Sequence, residues 1–154
     1  MASATTSNLF YKEIMDFVLT NSTPPLTGIT SFYIGLLTSG TSASGAMSQS
    51  YTEVPTGVGY GRVQINRSST SSGGISGWQY NSGNLEYSNL SDIVFGVPTS
   101  NWGTIVAVGL FKTSTIGSAD MMYYAGLTSN KVVNAGDGAP KVLAGQLRIA
   151  RASC

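Results

Sequence analysis

The chain has 154 residues, enough for one domain with a core of its own, and a net charge of +1. Charged residues make up 10% of it, against roughly 25% in ordinary soluble proteins. With no basic run, the counterion release that drives nucleic-acid binding is weak, so no nucleic-acid partner is expected. There is no histidine, and the one cysteine is Cys154. That removes Ser-His-Asp and Cys-His catalysis, an internal disulfide and a Cys/His metal site. Cys154 is read as a free thiol, with a link between chains as the alternative. No basic-then-apolar leader opens the sequence, and no apolar run reaches the roughly 18 residues of a membrane span. The expectation is a soluble protein made in a cytoplasm, without membrane contact. Abundant Gly, Ser and Thr with few charges point to β-structure with polar, uncharged loops rather than to disorder.

Residues 1–7 are a polar arm, with Ser7 placed to cap a helix. Leu9, Phe10, Ile14, Phe17 and Val18 recur at spacings of three and four, the apolar stripe of a helix over 8–20. Lys12, Glu13 and Asp16 fall on the other side, and Pro24-Pro25 stop the helix. The stripe is expected to pack on the sheet; docking on another subunit is the alternative. Phe32, Ile34 and Leu36 alternate with Tyr33, Gly35 and Leu37 in a strand over 31–38. Residues 39–50 are a long small-residue loop, of the kind that either binds partners or is mobile. Residues 51–54 are a short edge piece, followed by a glycine-rich turn at Gly57, Gly59 and Gly61. These glycines are not a nucleotide fingerprint, because no strand precedes and no helix follows them. From Tyr60 to Asn66 the pattern alternates, with Val63 and Ile65 inward and Arg62 and Gln64 outward. Residues 67–77 are a second polar loop. Residues 78–80 and 84–87 form a hairpin around Asn81-Ser82-Gly83.

The chain is organised around residues 93–127. Residues 104–111 are apolar on both alternation faces, the mark of a strand covered on both sides. Residues 95–102 and 121–127 are read with it as a three-stranded meander, with Trp102 as a core or corner anchor. Residues 131–133, a turn at 134–138, then 141–143 and 146–150 close the sheet, with a bend at Gly145. Many short strands, regular turns and no tandem repeat give the fold class. It is mainly β, an antiparallel β-sandwich or jelly-roll-like domain with one short N-terminal amphipathic helix. A single domain is expected over 8–154, behind a flexible arm.

Paired carboxylates remain as a source of chemistry, since glycan cleavage needs only two. The acids are Asp16, Glu53, Glu86, Asp92, Asp120 and Asp137, with Glu13 on a solvated helix face. Asp120 and Asp137 sit beside turns, where aspartate caps backbone groups. Glu86 fits an outward position on a short strand. All are read as structural, which leaves no catalytic residue and no enzyme. Asn134-x-x-Asp137 offers too few oxygens for calcium, which takes about six to eight. Neither a metal nor a cofactor is expected. Tyr51, Tyr60, Trp78, Tyr80 and Tyr87 lie beside polar loops, and tyrosine and tryptophan are favoured at contact surfaces. With Leu9, Phe10 and Phe17 of the helix they are the candidate partner-contact residues.

One order of pieces carries a resemblance. An amphipathic helix is followed by FYIGLLTSG at 32–40, Thr52-Glu53-Val54 and Gly-Tyr-Gly-Arg-Val at 59–63. Next come Phe95, Pro98-Thr99, Trp102-Gly103-Thr104 and Gly-Leu-Phe at 109–111. Tyr124-Ala125-Gly126-Leu127, residues 132–137 and residues 144–149 end the series. In this order the chain resembles small bacteriophage virion structural proteins of the tail-fibre-like or head-decoration-like group, across most of 8–150. The resemblance implies a non-enzymatic structural role in the virion. The favoured reading is a capsid cement or decoration protein, a homo-oligomer (a trimer) bound to the major capsid protein on the outer head shell. The chain is short and lacks shaft repeats and a coiled-coil attachment segment. The alternative is a tail-fibre or other appendage component touching the host surface. A small glycan-degrading enzyme is the third reading.

Overall fold

The computed structural model describes residues 5–6, 8–20, 23–39, 51–67 and 77–150. In chain order these form β1 (Thr5–Thr6), α1 (Asn8–Thr20), β2 (Ser31–Ser39), β3 (Thr52–Glu53), β4 (Val63–Asn66) and β5 (Trp78–Asn81). There follow β6 (Glu86–Asn89), β7 (Ile93–Val94), β8 (Gly103–Phe111), β9 (Met121–Val133), β10 (Lys141–Val142) and β11 (Arg148–Ala150). The main sheet runs β1-β9-β8-β2-β3, with β4 also on β2, and its pairs are antiparallel. Two smaller sheets, β10-β7 and β11-β6-β5, complete the fold.

β8 lies inside the main sheet because its residues serve both faces. Ile105, Val108 and Leu110 enter the larger core, while Ala107 and Phe111 enter a smaller one with Leu37, Met121 and Tyr124. Strict alternation would separate Ile105 from Val108. They share a core because the β8–β9 register shifts between Ile105 and Ala107, and such a bulge re-aims side chains. The larger core also takes Trp78, Ile93 and Leu147 from the parts of the chain around the small sheets. Sheets thus meet across a shared apolar layer, the logic of a sandwich, and the class is mainly β with antiparallel sheets and one N-terminal helix.

The expected meander is not formed. β8 pairs with β9 and β2, and residues 95–102 hold no strand. They pack instead on the glycine-rich turn. A Cβ on Gly96 would lie 2.1 Å from the Gly59 carbonyl oxygen, so only glycine permits that approach. Trp102 is a buried anchor there, its indole N–H donating to Val58 O at 2.7 Å. Residues 121–127 and 131–133 belong to one strand, β9, rather than two.

α1 spans Asn8–Thr20, matching the predicted bounds. Ile14 packs against the larger core, but Phe17 and Val18 of the same stripe are exposed, as are Tyr11 and Leu19. Glu13, expected to be solvated, pairs with Lys112 just beyond β8 and ties the helix to the sheet. Thr5 and Thr6, within the predicted arm, pair with Tyr124 and Tyr123 of β9. The loops expected at 39–50 and 67–77 lie outside the described residues, apart from Ser39, Arg67 and Gly77. So does Cys154. Among the described residues no helix is long and apolar enough to cross a membrane.

Candidate functional site

The β5–β6 hairpin holds the two most exposed of the described aromatic candidates, Tyr80 and Tyr87. Its register sets Tyr80 opposite Tyr87 and Trp78 opposite Asn89. Opposed residues share a face, and so do residues two apart, so Trp78, Tyr80 and Tyr87 lie along one face. At one end Trp78 is 7% exposed and enters the core; at the other Tyr80 and Tyr87 are 52% and 50% exposed. The two tyrosine rings sit 4.9 Å apart, tilted by 41°. Between the strands Leu85 takes φ +52°, a left-handed conformation that costs a leucine energy, and its side chain is 53% exposed. The strained leucine and the tyrosine pair are all about half exposed at this end of the hairpin.

Beside the hairpin lies a groove of about 340 Å³, lined by Phe32, Trp78, Tyr87, Tyr123 and Arg67 among others. The Arg67 guanidinium carbon is 5.5 Å from the Phe32 ring centre, and Nη1 donates to Leu26 O at 3.1 Å. Among the described residues the Trp78 indole N–H, closed off from solvent, has no acceptor.

The remaining aromatic candidates are not gathered there. Tyr60 is buried, edge-on to Trp102 at 5.3 Å, and its hydroxyl donates to Glu53 Oε1 at 2.7 Å and accepts from Leu36 N–H at 2.8 Å. Burial pushes its pKa upward, and the nearby Glu53 carboxylate adds to the shift. Tyr51 is half-buried, edge-on to Phe111 at 5.7 Å, and donates to Ser118 O at 2.7 Å. Desolvation pushes its hydroxyl up to about 12. Phe17 is 39% exposed on α1, away from the hairpin in sequence. The side chains of Leu9 and Phe10 lie outside the described part of the structure.

Arg62 overturns the alternation reading. Expected outward, its side chain is fully buried. Nη2 meets Glu53 Oε2 at 2.9 Å, Nε meets Glu53 Oε1 at 3.0 Å, and Nη1 meets Asp120 Oδ1 at 3.1 Å. The reason is the split edge of β2. β4 pairs with Ser31–Ile34 and β3 pairs with Leu37 and Ser39, which leaves Gly35 and Leu36 at the junction. The charged side chains fill it. A Cβ on Gly35 would stand 2.7 Å from both Glu53 Oε1 and Phe111 Cε2, so the strand carries glycine where the network crosses. Glu53 and Asp120 are therefore brought together around one guanidinium, whose donors occupy the oxygens that a catalytic acid would need free.

Glu86 is the second reversal: expected outward, it is 8% exposed and accepts from Arg148 Nη1 at 3.0 Å. β11, which pairs on β6, covers the position, and a two-strand hairpin read in isolation gives no hint of that third strand. Asp137 closes its turn as predicted, accepting from Asn134 N–H at 2.7 Å. Asp120 also accepts from Thr113 N–H at 2.6 Å, the capping role expected of it. Asp92 accepts from Ala144 N–H at 2.9 Å and from Lys141 at 3.1 Å; the backbone bond, then the lysine, hold its carboxyl below the usual range. Asp16 pairs with Lys12 one helical turn away.

Comparison with known proteins bears on the family of the chain as a whole. No curated protein matches the chain. A protein family does, the one described as Podophage GP4 fiber I protein gp80, over residues 5–150. A fibre family fits an appendage better than the head-shell decoration favoured from the short, repeat-free sequence, and it implies association with other virion components. With nearly the whole described fold inside that match, the chain belongs to this family of phage tail-fibre-like structural proteins.

Proposed function

We propose that the protein is a non-enzymatic tail-fibre component that contacts the host surface through the β5–β6 hairpin. The observation that carries this reading is the exposed Tyr80–Tyr87 pair beside the strained tip at Leu85. Paired aromatic rings give a large contact area and few rotamers to freeze, which favours binding. The acids support a structural role, being engaged with cations or backbone groups as set out above. Within the fibre the chain assembles with copies of itself, as a trimer, through the outward apolar residues of α1. The domain spans 8–154, and Thr5–Thr6 of the preceding arm extend its main sheet on β9. Immunogold labelling of intact particles tests the reading. Label on the tail, in few copies per particle, is the expected result. Label spread over the head, in numbers that match the capsid positions, would restore head decoration in its place.

A further inference from the structure

We infer that a second groove, between β9 and the chain from β10 to β11, binds an acidic saccharide. The inference rests on the fibre reading for the source of that ligand, a host-surface glycan. It concerns a site apart from the Tyr80–Tyr87 pair. The groove holds about 340 Å³, at the small end of ligand sites, which span about 300–1,000 Å³. Leu127, Val142 and Leu147 give it aliphatic walls, and Lys141, Gln146 and Arg148 stand in the lining with them.

Two features separate it from a gap in packing. The first is charge. The lining holds Lys141 and Arg148 and, among the described residues, no acid. Their acidic partners lie outside it: Lys141 pairs with Asp92 at 3.1 Å and Arg148 with Glu86 at 3.0 Å. Neither cation is saturated. Arg148 uses Nη1 on Glu86 and Nε on Gly145 O at 2.9 Å, and its Nη2 makes no hydrogen bond among the described residues. The Lys141 ammonium bonds to Asp92 alone, with donors to spare. An anion in the groove therefore meets unused donors and no carboxylate. The second feature is a rigid frame. Asn89 is fully buried; its Oδ1 accepts from Leu147 N–H at 2.9 Å and its Nδ2 donates to Leu143 O at 3.0 Å. Its backbone oxygen accepts from Gly145 N–H at 2.8 Å, and Asp92 accepts from Ala144 N–H at 2.9 Å. The turn between Lys141 and Arg148 is thus held before a ligand arrives, and little ordering is left for binding to oppose.

The β9 wall decides between ligands. Pairing of β9 with β8 passes from Gly126 opposite Ala107 to Lys131 opposite Ile105, so Leu127–Asn130 stand against Val106 alone. Such an excursion interrupts the strand edge on which an acidic peptide would add, and it brings Leu127 and Thr128 into the groove lining. A hydrocarbon chain would match the walls but leave the cations and the Gln146 amide without partners. A metal ion would be repelled by both cations, and a nucleic acid needs a longer basic track. An acidic sugar matches every part: its carboxylate or phosphate meets Lys141 and Arg148, its hydroxyls meet Thr128 and Gln146, and its C–H surface lies on the aliphatic side chains.

Isothermal titration of the full chain tests the site. The probes are a dihexuronate, a hexose phosphate, a neutral dihexose and a glutamate-rich hexapeptide. At least one acidic sugar should bind saturably, with the neutral sugar about tenfold weaker, and the acidic probe that binds identifies the anion. Lys141→Gln should weaken binding about tenfold and Gln146→Ala about threefold. Both side chains are exposed, so both variants should fold. Lys12→Gln removes the same charge from α1 and should bind as the parent does. The site is overturned if neither acidic sugar binds, if the neutral sugar binds equally well, or if Lys141→Gln and Gln146→Ala both match the parent. It is also overturned if Lys12→Gln weakens binding as much as Lys141→Gln, which would reduce the effect to net charge. Tighter binding of the hexapeptide would overturn it too, by giving the groove to a protein partner. Tail labelling without a response to acidic sugar removes the groove assignment and keeps the fibre reading; head labelling with such a response does the reverse.

Discussion

The Arg62 guanidinium lies 3.5 Å from the centre of the Phe111 ring while it holds Glu53 at 2.9 Å. The contact joins the segment before β4 and the edge strand β3 to the last residue of the central strand β8. It is a charge buried at a junction of three chain segments, and its attraction has to offset the desolvation of both partners. The pair is therefore worth less than the cost of breaking it. Arg62→Ala strands Glu53 as an unpaired buried carboxylate and should destabilise the fold by about 3–5 kcal/mol. Arg62→Lys keeps the charge and loses the fork, so it should cost a part of that. Urea unfolding of the three proteins checks both; a shared midpoint would deny the network any part in stability.

The same junction gives the protein an alkaline limit. Tyr51 titrates near 10 when unfolded, and desolvation raises it to about 12 in the fold. Its raised pKa means that the folded state holds its proton longer than the unfolded state does. The resulting stabilisation is complete below pH 10 and is lost as the pH climbs from 10 through 12. Tyr60, buried more deeply, is pushed in the same direction. Thermal melts taken across that window should show a falling midpoint, and Tyr51→Phe should make the fall shallower. An identical slope in the variant would remove Tyr51 as a cause.

These residues also mark where sequence reasoning reaches its limit. Alternation correctly assigns β8 to a doubly covered position, because an apolar residue on either face needs cover wherever it comes from. Helical spacing and the prolines correctly bound α1. Both signals are local. Arg62 and Glu86 are misread because alternation reports which way a side chain points, not what covers that side. Arg62 is covered by its pairing with Glu53 and Asp120, and Glu86 by β11. Residues 95–102 are misread as a strand for a related reason: their partner is an irregular turn some forty residues earlier. At the candidate site, Tyr80 and Tyr87 are legible as surface aromatics beside a turn. The burial of Trp78 and the Leu85 strain are not, since each depends on packing and on backbone angles that no residue pattern encodes.

Leu85 offers a prediction in which stability and contact move in opposite directions. At φ +52° it occupies backbone space that glycine enters freely. Leu85→Gly relieves the strain and removes an exposed apolar side chain. The fold should hold or gain up to about 1 kcal/mol. Host adsorption by particles carrying the variant should fall. Unchanged adsorption would show that the hairpin tip makes no contact, and a marked loss of stability would show that Leu85 packs where its exposure says it does not.

The outward face of α1 tests self-assembly without touching the core. Val18 is 64% exposed and Leu19 72%, and Tyr11 at 57% lies two turns before Val18 on the same side. Ile14 and the Glu13–Lys112 pair, which hold the helix to the sheet, are different residues. Replacing Val18 and Leu19 together by serine should therefore leave monomer stability within about 0.5–1 kcal/mol, the ordinary range for surface changes plus a small loss of helix propensity. Sedimentation velocity should show the parent as an oligomer and the variant shifted toward monomer, while far-UV circular dichroism stays the same. An oligomer that survives the double substitution would move the self-contact elsewhere. A variant that unfolds would show instead that this face belongs to the core of its own chain.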